Sequence, residues 1–352
     1  MSLPPRILAP RWLPGGHVQT IWPKLFARLH HPGEAPAFQR ERWDTPDGDF
    51  IDCDWQRLGG QRPLLVLFHG LEGSSASHYS QAFASHARTL RWDLALPHFR
   101  GCSGEMNRAP RAYHSGDHAE IGWMLQQAQE RHGGPMLAVG VSLGGNALLR
   151  WAQESGEAAR ERVGAIAAVS APLDLAAAGV AIHRGLNRQL YTRYFLRTMV
   201  PRALQKLAQF PGLFDRERML RADSLVAFDD CFTAPLHGFA DAADYYARSS
   251  AGGRLHRLRV PSLVLNALND PFVPAASLPR PNELGKAPVT LWQPFHGGHV
   301  GFPSGGWPGS ALGLPASVCQ WLAQHLHEQP AAGVATADSA PWGASAVAQA
   351  HG

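Results

Sequence analysis

The sequence predicts an α/β protein, with a mostly parallel central sheet, helices on both faces and a helical insertion. Three observations carry this. Apolar runs recur along the chain, among them Leu64-Leu65-Val66-Leu67-Phe68, Met136-Leu137-Ala138-Val139 and Ser262-Leu263-Val264-Leu265. Such runs read as strands buried on both faces, as parallel strands are. They alternate with helix-like stretches, which puts helices over both faces of one sheet. Between one of these strands and the next helix stands Gly140-Val141-Ser142-Leu143-Gly144, a sharp turn whose glycines flank a serine.

The elements follow in order. Residues 1–39 are expected to form an irregular, proline-rich lead-in. Phe38 to Trp55 reads as a hairpin around Thr45-Pro46-Asp47-Gly48, because Asp-Gly favours tight turns. The strand ending at Phe68 and a second at Trp92 to Pro97 come next. A helix over Asp117 to Gln129 leads to the strand before Ser142, and Gly145 to Trp151 begins the helix after it. Val163 to Val169, Ser262 to Leu268 and Val289 to Trp292 are the remaining strands, and 314–327 is a closing amphipathic helix. The sheet core thus occupies 40–173 and 259–328.

Residues 174–258 interrupt the alternation and read as a helical cap. Leu186, Leu190, Tyr194 and Leu196 recur at roughly helical spacing, with Pro201 and Pro211-Gly212 expected to break the run. Tyr191, Tyr194, Phe195, Phe210, Phe214 and Phe239 are candidate pocket linings. Residues 329–352, rich in Ala, Gly, Ser and Pro, are expected to be disordered. No internal repeat is present.

A Gly-x-Ser-x-Gly between a strand and a helix is a nucleophile elbow. It holds the serine hydroxyl above the sheet, where side chains at Gly140 and Gly144 would collide with the neighbouring strand and helix. Ser142 is therefore the candidate nucleophile. A serine needs a base to take its proton, and in this topology the acid and the base follow in that order. Asp270 lies just after the strand Ser262 to Leu268, at the carboxyl end of the sheet where sites form. Asp174 is the rival acid, with a helix cap as its simpler reading. His296 and His299 both follow the last strand. His299 is favoured because Gly297-Gly298 let its loop turn inward and Val300 and Phe302 pack around it. The loop His69-Gly70-Leu71-Glu72-Gly73 points to a second contribution. The backbone N–H groups of Leu71 and of Leu143, the residue after the nucleophile, are the candidate oxyanion donors, each worth about 3–4 kcal/mol by analogy with known sites.

The remaining composition narrows the partners. The chain has 352 residues and a formal net charge of only +4, with its arginines scattered, which leaves a nucleic-acid surface unsupported. No apolar stretch is long enough to span a bilayer, while peripheral contact with a membrane stays open. Cys53, Cys102, Cys231 and Cys319 are far apart, and no signal-peptide pattern stands at the start, so a cytoplasmic protein with reduced thiols is expected. No metal-ligand spacing or nucleotide motif is present among the 18 histidines and 36 glycines, so neither metal nor cofactor is expected. Oligomeric state is not legible.

Several segments together resemble the α/β-hydrolases, and within them the YheT-like branch of the abhydrolase-domain family. They are His17-Val18-Gln19-Thr20, the His69 loop, Arg100-Gly101-Cys102-Ser103-Gly104-Glu105, Tyr113-His114-Ser115-Gly116, Phe228-Asp229, Asn269-Asp270-Pro271-Phe272 and Gly297-Gly298-His299-Val300-Gly301-Phe302. Asn269 departs from the pattern, because family members often carry Asp there. The resemblance spans roughly residues 10–325. It implies a serine hydrolase of small-molecule carboxylic esters, acting through Ser142, Asp270 and His299 and an acyl-enzyme. Short- to medium-chain acyl esters are the expected substrates. An acyltransferase using the same triad, or a non-catalytic binding protein of the same fold, is the alternative.

Overall fold

The hairpin expected around Asp47-Gly48 forms between β1 (Gln39–Asp44) and β2 (Phe50–Gln56), with Asp44 opposite Phe50 and Gly48 at φ +77° in the turn. The computed structural model describes residues 7–326; the tail expected at 329–352 lies outside them. Next come β3 (Leu64–Phe68), β4 (Asp93–Pro97), β5 (Met136–Val141), β6 (Ile166–Val169), β7 (Ser262–Leu265) and β8 (Val289–Trp292). They join in the order β1-β2-β4-β3-β5-β6-β7-β8. The pairs β1–β2 and β2–β4 are antiparallel, and every pair from β4 to β8 is parallel.

Both faces of the parallel strands are covered, which is why their sequences are apolar without alternation. Leu64, Val66 and Phe68 point into a core shared with Ile121 and Met124 of one helix and Leu148 of another. Leu65 and Leu67 point the other way, against Phe83 and Ala84 and against Leu314 and Val318. The helices that supply these residues are α2 (His78–Thr89), α3 (His118–His132), α4 (Leu143–Ser155) and the closing helix Gly313–Ala323.

Two expectations about helices need correction. The lead-in is not irregular throughout, because Gly16–Leu25 forms a helix, α1, with Pro23 inside it. Its composition argues against a helix; docking onto the sheet's carboxyl edge stabilises it, with Gln19 and Pro23 buried. Pro201 also fails to break its run. The helix Arg193–Gln209 passes through it and ends only at Phe210, before Pro211-Gly212. Pro201 sits on the exposed side, while Ala203 and Lys206 are buried and hold the next turn in place.

Between β6 and β7 the described residues are helical only. They carry their own apolar clusters, one around Met219, Phe228 and Phe232 and another around Tyr245 and Tyr246. Two π-helical turns, Arg188–Thr192 and Asp229–Thr233, interrupt this segment. Its two ends meet in a narrow neck, where the Gly252 N–H donates to the Leu173 carbonyl at 2.9 Å. Asn146 of α4 grips the returning chain, donating to the Ser249 carbonyl and accepting from the Ala251 N–H.

Candidate active site

Ser142 stands at the junction of β5 and α4 with φ 53° and ψ −119°, a region costly for a non-glycine residue. Its N–H donates to the Val169 carbonyl at 2.8 Å and its carbonyl accepts from Gly145, so the backbone on both sides holds the turn. Gly144 is needed because a Cβ there would lie 2.5 Å from the His69 carbonyl oxygen and 2.6 Å from that of Phe68. The elbow is packed directly against the end of β3.

The structure brings the three candidate side chains together. His299 Nε2 lies 3.0 Å from Ser142 Oγ, and His299 Nδ1 lies 2.8 Å from Asp270 Oδ2. A carboxylate can only accept, so Nδ1 carries the hydrogen and Nε2 is left as the acceptor facing the serine. The second carboxylate oxygen of Asp270 accepts from the N–H groups of Phe272 and Val273, at 2.7 and 3.2 Å. Phe272 covers the imidazole, ring centroids 4.2 Å apart. The rivals lie elsewhere. Asp174 caps the helix Leu175–Ile182 by accepting from the Ala177 N–H, and His296 sits exposed beside Asn269.

The loop after β3 leaves one amide free. Tyr79 Oη accepts from the Gly70 N–H, Tyr113 Oη from the Glu72 N–H, and the Gly70 carbonyl from the Gly73 N–H. Among the described residues the N–H groups of Leu71 and Leu143 have no hydrogen-bond partner. His69 braces this loop in a fixed tautomer. Its Nε2 accepts from the Phe99 N–H at 3.0 Å, so Nδ1 is the donor to the Gly70 carbonyl at 2.7 Å. Burial, with His98 beside it, pushes its pKa down to about 3, so it stays neutral.

Sequence reasoning from chemistry missed the residues that hold the acid and base loops. Both belong to α1. Gln19 Oε1 accepts from Asn269 Nδ2 and from the Gly297 N–H, each at 2.9 Å, while its Nε2 donates to the Leu13 carbonyl. Thr20 Oγ1 accepts from the His299 N–H at 2.8 Å and donates to the Gly16 carbonyl. Asn269 completes the link by accepting from the Gly298 N–H at 3.0 Å. Its amide donates to Gln19 of α1 and accepts from the base loop, which a carboxylate at this position would not do. The available signal was the family-like segment His17-Val18-Gln19-Thr20. Ser170, at the end of β6 with φ 50°, adds a further brace by accepting from the Val300 N–H.

A cavity of about 80 Å³ opens beside these free amides. Leu71, Leu143, Met199, Ala203, Phe228 and Phe232 supply apolar walls, with Arg202, Lys206 and Asp229 among the polar ones. The six aromatics expected to line a pocket do not line this one. Tyr191 and Phe195 instead meet Phe272 edge-on, Phe214 packs on Phe232, and Phe239 on Tyr245. The helical spacing of Leu186, Leu190, Tyr194 and Leu196 marks a helix; which face looks inward depends on the neck and the π turns.

The sheet order, the elbow and the serine–histidine–aspartate contact define an α/β hydrolase. The chain belongs to that family: a model described as the alpha/beta hydrolase fold matches residues 63–305, and within the family the chain is YheT-like. It is 38% identical to the Escherichia coli (strain K12) protein named "Putative esterase YheT", covering 88% of this chain and 91% of the relative. It is 28% identical to phospholipase ABHD3 of Mus musculus, over 83% of this chain and 73% of the relative. Among solved structures, Est1E from Butyrivibrio proteoclasticus with ferulic acid bound superposes with a TM-score of 0.51 at 13% identity, over 82% of this chain and 99% of that one, which speaks for the fold. Among the described residues no helix is long and apolar enough to cross a membrane.

Proposed function

We propose that the protein is a carboxylic ester hydrolase that works through Ser142, His299 and Asp270 and an acyl-enzyme. The observation that carries this reading is the unbroken contact from Asp270 Oδ2 through the imidazole to Ser142 Oγ, with two free amides beside it. An esterase and a phospholipase among its relatives support the same class of bond.

Ser142 Oγ attacks the ester carbonyl carbon as its proton passes to His299 Nε2. The negative charge that appears on the carbonyl oxygen is stabilised by the Leu71 and Leu143 N–H groups. Asp270 keeps the ring oriented and stabilises the imidazolium. Collapse expels the alcohol, which takes the proton from His299 and leaves an acyl-serine. Water then gives its proton to His299, attacks the acyl carbon and releases the carboxylic acid and free Ser142.

The residues between β6 and β7, 174–258, act as a cap whose inner wall is the acyl pocket. The cavity is about half the size of the roughly 150 Å³ void that accepts benzene. That space suits a short acyl chain, with medium chains admitted by small shifts of the helix Arg193–Gln209. We place the protein in the cytoplasm, on its four cysteines, all free and buried.

Fluorophosphonate labelling with site mapping tests the reading. Ser142 is expected to be the labelled residue, and Ser142→Ala to abolish labelling and lower ester turnover by about 10³-fold or more. Label on another serine, or undiminished turnover in Ser142→Ala, refutes it.

A further inference from the structure

We infer that the face formed by α1, the Trp12–Trp22–Trp307 cluster and the outer side of residues 184–197 docks onto an anionic lipid bilayer. Side chains that would normally be buried lie open here: Trp307 is 73% exposed, Leu186 63%, Leu25 59% and Phe26 54%. The aromatic rings touch at a tilt, Trp22 with Phe26 at 4.4 Å and with Trp307 at 5.0 Å between centroids, so they form one patch. A contiguous exposed apolar patch marks an interaction surface, and tryptophan and tyrosine rings suit the headgroup level of a bilayer.

Charge selects the occupant. Residues 175–214 contain Arg184, Arg188, Arg193, Arg197, Arg202 and Lys206 and no aspartate or glutamate. Residues 7–33 contain Arg11, Lys24 and Arg28 and likewise no acid. Arg202 and Lys206 face the cavity, and Arg188 pairs with Asp223, while Arg184, Arg193 and Arg197 have no ion pair among the described residues. The two segments are joined, because Lys24 Nζ donates to Tyr194 Oη at 2.9 Å. Exposed rings rimmed by unpaired cations match an anionic headgroup layer. A second copy meeting the same face across a two-fold axis would bring like charges together.

The patch borders the reaction site. Gln19 and Thr20, on the same helix, hold the acid and base loops, and Asn187 Nδ2 donates to the Pro271 carbonyl beside Asp270. Docking therefore presents the site's rim to ester-bearing lipid. That consequence rests on the serine-hydrolase reading, whereas the docking does not.

The test uses the 352-residue chain carrying Ser142→Ala, which leaves vesicles chemically intact. Its partition is measured onto vesicles of phosphatidylcholine with phosphatidylglycerol and onto phosphatidylcholine alone. Binding to the anionic vesicles is expected to be about tenfold or more tighter and to weaken with salt. Adding Phe26→Ser with Trp307→Ser, or Arg193→Glu with Arg197→Glu, should each lower it by about tenfold. The same surface pairs in active protein should leave turnover of a water-soluble short ester unchanged. Equal partition onto both vesicles, no binding, surface variants that bind as well as their parent, or a patch-dependent dimer that ignores vesicles would each overturn the proposal. Anionic-vesicle binding by a parent protein, with Ser142 intact, that showed no esterase activity would support the docking and count only against the triad.

Discussion

Thr20 and Gln19 do their work at one remove from the chemistry. The Thr20 hydroxyl receives the His299 N–H, and Gln19 ties the acid loop to the base loop. Thr20→Val keeps the shape and removes the acceptor, leaving an N–H unpaired at a cost of about 1–3 kcal/mol. If that cost falls on the position of the imidazole, kcat should drop about 10- to 100-fold with KM little changed, and Thr20→Ser should restore it. Steady-state kinetics on a soluble ester checks this; a change confined to KM would speak against a positioning role. At this scale legibility follows distance along the chain. Ser142, Asp270 and His299 each sit in a short turn at the end of a strand, so local pattern marks them. Gln19 and Thr20 lie in a proline- and glycine-rich lead-in, and their partners stand some 250 and 279 residues away in sequence. Only a family-like segment pointed to them.

Among the elements, strands were more legible than the segment over the site. Val289 to Trp292 is a strand with the expected limits, and the hairpin turns where Asp-Gly demands. Apolar runs between turns have few alternatives once both faces of a sheet are covered. The helices between β6 and β7 bury only one stripe each, and two π turns rotate that stripe part-way along. The cavity is consequently walled by Phe228 and Phe232 rather than by the six aromatics expected there. Phe228→Ala should lengthen it, and Ala203→Phe should fill it. In the parent, each added methylene that the pocket buries contributes about 0.8 kcal/mol, roughly fourfold in kcat/KM. A panel of p-nitrophenyl esters of rising chain length should reach its optimum at longer chains in Phe228→Ala and at shorter ones in Ala203→Phe. Identical profiles in all three proteins would move the acyl pocket elsewhere.

Stability belongs to the whole molecule, and one buried carboxyl gives it a pH dependence. Asp229 accepts from Thr233 Oγ1 at 2.6 Å and Tyr246 Oη at 2.7 Å, yet burial raises its pKa to about 6. Because the folded state holds this proton more tightly than the unfolded chain, the stabilisation is complete below about pH 4. It is lost as pH rises to about 6, at up to about 1.4 kcal/mol per pH unit. Thermal unfolding of the wild type and Asp229→Asn across pH 4 to 7 should show this component in the wild type alone; equal slopes would place the ionisation elsewhere.

The neck between Leu173 and Gly252 has a consequence in polymer terms. The chain that leaves the sheet there returns to a hydrogen bond from its point of departure. For such a loop the entropy of closure grows only with the logarithm of its length, about 0.6 kcal/mol for each doubling. The sheet is thus nearly indifferent to how much chain hangs from the neck. The segment that shapes the cavity can lengthen, shorten or refold while β6 and β7 stay paired and Asp270 keeps its place at the end of β7.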